Sequence, residues 1–413
     1  MQRLVILGAG TAGSMVANKL RPLLSRDEWS ITVVDPATEH HYQPGYLFVP
    51  FGTYRPEQVT KPIRRFIPDG VEFLNTAVAR VESAANTVHL ADGSTLGYDQ
   101  LIVATGTHPR PDETPGLEGP AYRDTIHDFY SLEGATALGD ALARFEGGKL
   151  VVNLIELPIK CPVAPLEFTF LADAYFTERG IRDQVEITYV TPLEGAFTKP
   201  VAAEHLGAMF ESKHIEMEPD FYLERVDPDE RKLVSFDERE VSYDLLVTVP
   251  LNFGAEFLAD SDLPIDELRH IGCDHATFLV DGTDNVFALG DAANLPTSKA
   301  GSVAHFAVDV FTHNFLQHIA GRPMTEAFDG HANCYIESGH GKALLIDFNY
   351  DTQPLPGKFP LPGVGPFSLL EETEMNHWGK MMFKWIYWNI LVPGKELPLP
   401  AHMSMYGKVE EPV

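Results

Sequence analysis

Two cysteine segments hold the residue types with the most chemistry in this chain. The first is Ile159-Lys160-Cys161-Pro162-Val163-Ala164-Pro165-Leu166-Glu167-Phe168, where a thiol stands beside an ammonium and shortly before a carboxylate. A thiol acts as nucleophile or redox centre through its thiolate, which a helix N-terminus or a neighbouring lysine favours. Lys160 and the following helix are therefore expected to lower the Cys161 pKa, with Glu167 as general base. The second segment, His331-Ala332-Asn333-Cys334-Tyr335-Ile336-Glu337-Ser338-Gly339-His340-Gly341-Lys342, sets Cys334 in polar, glycine-bearing surroundings. The third cysteine, Cys273, reads as structural, and three cysteines in 413 residues do not make a disulfide scaffold.

The elements around Cys161 follow a β-α-β plan. Residues 149–156 read as a buried parallel strand, 167–179 as a helix and 184–190 as a second strand. In such a unit the first turn usually carries glycines that admit a dinucleotide phosphate, and an acid follows the second strand. Here no glycine occurs between Leu150 and Glu178, and the second strand ends in Thr191-Pro192 with no acid until Glu194. Both determinants of nicotinamide-dinucleotide binding are missing. The turn reads as a redox site on a domain that kept its architecture and lost its cofactor.

A true dinucleotide loop lies at the N-terminus. The strand Arg3-Leu4-Val5-Ile6-Leu7 runs into Gly8-Ala9-Gly10-Thr11-Ala12-Gly13, and a helix follows. Gly8 and Gly10 would let a pyrophosphate approach, Gly13 would allow close helix packing, and the helix N-terminus would attract the phosphates. A second strand ends in Asp35, about 20 residues on, where a ribose acceptor is expected. Two further strands end in Ala104-Thr105-Gly106 and in Gly290-Asp291.

Composition narrows the classes. A hydrophobic fraction of 44% with 22% charged residues is that of a globular chain. The net charge of −28 argues against nucleic-acid binding. The chain starts directly with a strand, so no cleaved export signal is expected, and no uncharged apolar run is long enough to span a bilayer.

Together these motifs resemble a known family. The GxGxxG, Ala-Thr-Gly and Gly-Asp pieces, in that order, resemble the two-dinucleotide-binding-domain flavoproteins, which hold FAD. Adding the Cys161 segment, the Cys334 segment, the missing second nucleotide motif and Tyr42-Gln43-Pro44-Gly45-Tyr46, the chain resembles sulfide:quinone oxidoreductase over essentially its whole length. The resemblance implies that Cys161 and Cys334 take sulfide sulfur, passing electrons to FAD and then to a membrane quinone. It also implies that Glu167 is the base and that Lys342 sits at the flavin edge. Many relatives carry a further cysteine before the central domain. The corresponding segment here, 122–128, has none, so FAD is expected to be noncovalent. The competing readings are a flavocytochrome c-type sulfide dehydrogenase flavoprotein and a non-catalytic FAD-binding redox sensor.

The C-terminal segment differs in composition. Three of the four tryptophans, Trp378, Trp385 and Trp388, cluster there. On a helix starting near Glu374, Asn376, Lys380, Lys384 and Tyr387 would form one polar stripe, with Trp and Met over the rest, which suits an interfacial membrane helix. Residues 348–367 would shape quinone access, and the tail after Pro400 reads as flexible. The expected fold is α/β, with two Rossmann-like domains and a C-terminal membrane-associating helical segment. Its parts are 1–110 and 280–340 for FAD, 111–279 for the degenerate central domain, and 341–413 for quinone and membrane. The expected location is peripheral on the cell membrane, and homo-oligomerisation is left open.

Overall fold

The computed structural model describes residues 1–361 and 363–409. Its first strand, Gln2–Leu7, pairs in parallel with Trp29–Val34 on one side and Gln100–Val103 on the other. Glu72–Leu74 and Val286–Ala288 complete a five-stranded parallel sheet. The last of these strands comes from far down the chain, so the dinucleotide sheet is closed only after the central domain has been threaded. The strands are Val-, Ile- and Leu-rich and buried on both faces, as helix-covered parallel sheets require.

A second five-stranded parallel sheet forms the central domain. Its order is Ile126–His127, Leu245–Val249, Gly148–Leu154, Val185–Val190 and Glu216–Glu218. The helix after the cysteine turn runs Ala164–Glu178, starting earlier than its apolar pattern suggests. Pro165 sits in its first turn, where a missing N–H costs nothing.

The C-terminal region is not a helical appendage alone. It contains a four-stranded sheet ordered Ala332–Gly339, Lys342–Phe348, Gly365–Leu369 and Gly357–Leu361, followed by the helix Glu374–Ile386. The expected boundary at residue 340 falls inside the hairpin of the first two strands, which pairs Cys334 with Ile346. Gly339, His340 and Gly341 all have positive φ and form its turn. The tail expected to be flexible is held down instead. Lys408 Nζ lies 2.5 Å from Asp347 Oδ2, both side chains 1% exposed, and His331 Nε2 bonds the other carboxylate oxygen at 2.8 Å.

Thr373 caps the terminal helix, accepting from the Asn376 N–H at 3.1 Å. The helix then widens into a π-turn, Tyr387–Leu391, a feature common near functional sites. No helix among the described residues is long and apolar enough to cross a membrane.

Candidate functional site

A cavity of about 400 Å³ runs from the N-terminal loop to the cysteine turn. Gly8, Gly10, Thr11, Ala12 and Asp35 line one end, with Ala104, Thr105 and Gly106 beside them and Gly290 and Asp291 opposite. Gly13 does not face the space but supports it. A Cβ there would stand 1.9 Å from the Gly8 carbonyl oxygen, so only glycine lets helix and loop meet. Gly8 itself has φ +98° with the Ala104 backbone pressed against it. Asp35 Oδ2 accepts the Ala9 N–H at 2.6 Å, fixing the loop against the strand end.

The donor set fits a flavin dinucleotide. The loop presents bare backbone, and the buried Thr105 hydroxyl has no partner among the described residues. Burial lifts the Asp291 carboxyl pKa, while Lys299 and Lys160 oppose the lift. Lys299 Nζ donates to the Asp291 and Ala293 carbonyls at 3.0 and 2.8 Å, bracing the Gly-Asp turn. Lys160 thus serves the cavity and Asp291 rather than the thiol beside it in sequence.

Cys161 lines the far end of the cavity. It is held in the left-handed region, φ +49°, a strained conformation for a residue with a Cβ. Its N–H donates to the Lys299 carbonyl at 2.7 Å, and its carbonyl accepts from Ala164 N–H and Tyr130 Oη at 2.8 and 3.3 Å. The expected lowering of its pKa is overturned. Burial and then Glu167 push the thiol up to about 12, with only Lys380 and the Ala164 N–H pulling the other way. The helix begins three residues later, and the strongest influences are desolvation and a carboxylate. Cys334 is buried and also pushed up, first by burial and then by Cys161, so the two thiols lie within each other's field. Both are free thiols in the structure.

Glu167 joins three segments. It is fully buried in the first turn of the cysteine helix. Its Oε1 accepts from the Glu337 N–H at 2.8 Å and from Lys380 Nζ at 2.7 Å, while Oε2 has no partner. Burial raises its pKa, and Lys380 opposes that. For Lys380, burial acts downward, but Glu167 and Cys161 outweigh it and hold the ammonium protonated. A carboxylate with a raised pKa, paired to an ammonium and facing two thiols, is placed to accept and release a proton.

Lys342 does not take part. It is exposed at the hairpin turn after Cys334 and does not line the cavity. The alternation of the strand explains this: the residues that reach the site are Cys334 and, through its N–H, Glu337, whereas the turn points to solvent. The lysine that reaches the site is Lys380, from the polar stripe of the terminal helix. That stripe faces the protein. Asn376, Lys380 and Tyr387 are buried, whereas Met375, Trp378, Met382 and Trp385 are 48, 64, 51 and 60% exposed. Tyr387 Oη bonds Thr11 Oγ1 and His40 Nε2, each at 2.7 Å, tying this helix to the dinucleotide loop.

Sequence reasoning also missed His41, His108 and Tyr46, which line the cavity; of these only Tyr46 lay in a recognisable motif. Cys273 is buried and does not line the cavity.

A family profile described as pyridine nucleotide-disulphide oxidoreductase matches residues 2–152. The mitochondrial sulfide:quinone oxidoreductase of Dictyostelium discoideum is 26% identical over 399 residues, 95% of this chain and 86% of that protein. The mitochondrial enzyme of Mus musculus is 25% identical over 94% of this chain and 86% of its own length. The X-ray structure of the sulfide:quinone oxidoreductase from Aquifex aeolicus superposes with a TM-score of 0.79 at 19% identity, covering 96% of this chain and 92% of that one. From end to end the chain is thus a relative of the sulfide:quinone oxidoreductases, built on the pyridine nucleotide-disulphide oxidoreductase fold.

Proposed function

We propose that the chain oxidises sulfide to zero-valent sulfur or polysulfide at Cys161 and Cys334 and reduces a membrane quinone through noncovalently held FAD. One observation carries most of this reading. Cys161 and Glu167 from the cysteine turn and Lys380 from the terminal helix converge on one end of the dinucleotide cavity, within the field of Cys334. Hydrosulfide attacks a disulfide or persulfide bridge between the two sulfurs, and exchange frees one of them as thiolate. Lys380 stabilises the negative charge that appears there, and Glu167 handles the proton. FAD, when bound, supplies the two-electron acceptor between sulfur and quinone. Noncovalent binding is supported by segment 122–128, which carries no cysteine.

The terminal helix supports a peripheral membrane position. Met375, Trp378, Met382 and Trp385 recur at helical spacing and form an exposed apolar stripe. Lys61, Arg65 and Lys384 gather beside its C-terminal end, Lys61 lying 4.5 Å over the Trp388 ring. In a chain of net charge −28, this basic group gives an anionic bilayer a place to bind. Quinone would then enter between this helix and the hairpin Gly357–Leu369.

The test is anaerobic. Sulfide, and separately NADH, is added to the FAD-loaded protein while flavin absorbance is followed, and a short-chain quinone is then added. Bleaching by sulfide with quinone reoxidation is expected. Bleaching by NADH alone would overturn the reading, and sulfide bleaching without reoxidation by quinone would leave a cytochrome-linked dehydrogenase or a sensor.

A further inference from the structure

Oxidising HS⁻ to zero-valent sulfur releases one proton and two electrons, whereas reducing a quinone to quinol takes two of each. One proton per turnover must therefore come from solvent. Glu167 and Lys380, the titratable pair at the thiols, are buried and cannot exchange with water directly.

Behind them lies a second pair that the sulfur chemistry does not use. Glu337 is 1% exposed, on the strand that carries Cys334, and its backbone N–H holds Glu167 Oε1. Both of its carboxylate oxygens lie 3.0 Å from His377 Nδ1. His377 is one helical turn before Lys380 and is itself 23% exposed, beside the outward-facing Trp378. The Glu337 carboxylate lies within the fields of Glu167 and Lys380, and the imidazole it holds reaches the outer face of the terminal helix.

We infer that His377 and Glu337 form a proton-delivery pair that draws the turnover proton from the outer face of the terminal helix to Glu167 and Lys380. This rests on the sulfide:quinone reading. The titratable groups facing the pair are Tyr335 and Glu337 on the strand, Glu167 on the cysteine helix, Tyr54 from the N-terminal domain, and Lys380 and Lys384 on the terminal helix. Tyr54 lies in the fields of both Lys380 and Glu337, so one polar cluster spans the gap. The hydrogen bond to Glu337 raises the His377 pKa, against its partial burial. The proton passes from His377 Nδ1 to the Glu337 carboxylate, on to the Glu167–Lys380 pair, and from Lys380, which lines the cavity, to the quinone as it takes the electron pair, and the imidazole is reprotonated by solvent.

The test uses FAD-loaded protein reduced with dithionite, so that it does not depend on sulfide, and follows flavin reoxidation by a short-chain quinone across pH. In the parent, reoxidation should be fast in acid and fall as pH rises through the raised His377 pKa. His377→Gln, which keeps a hydrogen bond to Glu337, should be at least tenfold slower with a flat profile in this range. Imidazole should restore the rate of His377→Ala, which a purely structural role would not permit. Glu337→Gln serves as the second variant and should also flatten the profile. Parental rates and an unchanged profile in both glutamine variants would overturn the inference. If the parent's quinone step proceeds normally but sulfide never bleaches the flavin, the sulfide reading fails while the relay stands.

Discussion

The Lys380 ammonium lies 2.7 Å from Glu167 Oε1, joining the terminal helix to the helix that follows the cysteine turn. Both groups are buried, so each is the other's main compensation for lost water. Lys380→Met should leave Glu167 protonated and both thiols harder to ionise. Sulfide-driven bleaching is expected to slow by about 100-fold, the usual scale for removing one stabilising donor from a buried site. Lys380→Arg should lose far less. Stopped-flow absorbance with sulfide in excess reads both, and a parental rate in Lys380→Met would remove this lysine from the sulfur chemistry.

With its pKa pushed up to about 12, the reduced Cys161 is a thiol at neutral pH. Its alkylation by iodoacetamide should be slow at pH 7 and rise about tenfold per pH unit, because the thiolate fraction grows in that proportion. Mass spectrometry of the labelled Cys161 peptide follows this directly. Labelling that is fast and pH-independent near neutrality would mean a resting thiolate, contrary to the geometry.

The outward tryptophans should govern membrane attachment. Trp378→Ser combined with Trp385→Ser is expected to abolish co-sedimentation with vesicles while FAD stays bound, since neither side chain is buried. Neutralising Lys61 and Arg65 to Gln should weaken binding to anionic vesicles by about 2 kcal/mol, roughly 30-fold, at about 1 kcal/mol per basic residue. Binding to zwitterionic vesicles should change little, and added salt should erase the difference.

Lys408→Met should destabilise the fold through Asp347, whose carboxylate it shares with His331. Breaking a buried pair costs about 3–5 kcal/mol, and the remaining His331 contact places the loss near 3. The Asp347 carboxyl is held below its ordinary pKa: burial acts upward, but His331 and Lys408 outweigh it. Its stability contribution is therefore present above the unfolded carboxylate value and lost as pH falls through the lower folded value. Thermal melts of the parent and Lys408→Met should converge in that acid range. A tail that merely lies on the surface would give equal melts at every pH.

The two parallel sheets and the dinucleotide loop are legible in the sequence because buried strands need apolar runs and close phosphate approach needs glycine at Gly8 and Gly13. The cysteine turn is legible by what it lacks. Periodicity finds the terminal helix correctly but cannot say which face meets the protein, since a stripe of Asn376, Lys380 and Tyr387 could face either water or a polar site. The side is decided by Glu167 and Thr11, hundreds of residues away in sequence. The Cys161 pKa fails for a related reason. Lys160 is adjacent in the chain, whereas desolvation and Glu167 are properties of the folded site, and they win.

The buried placement of Lys380 also sets an order of assembly. It is synthesised after Cys161, Glu167 and Cys334, so a nascent chain can fold both Rossmann sheets and bring Cys161 and Cys334 together while Glu167 still lacks its counter-ion. Docking of the terminal helix supplies that charge and in the same step turns Trp378 and Trp385 outward. The buried ion pair and the exposed Trp378–Trp385 stripe are thus set in place together.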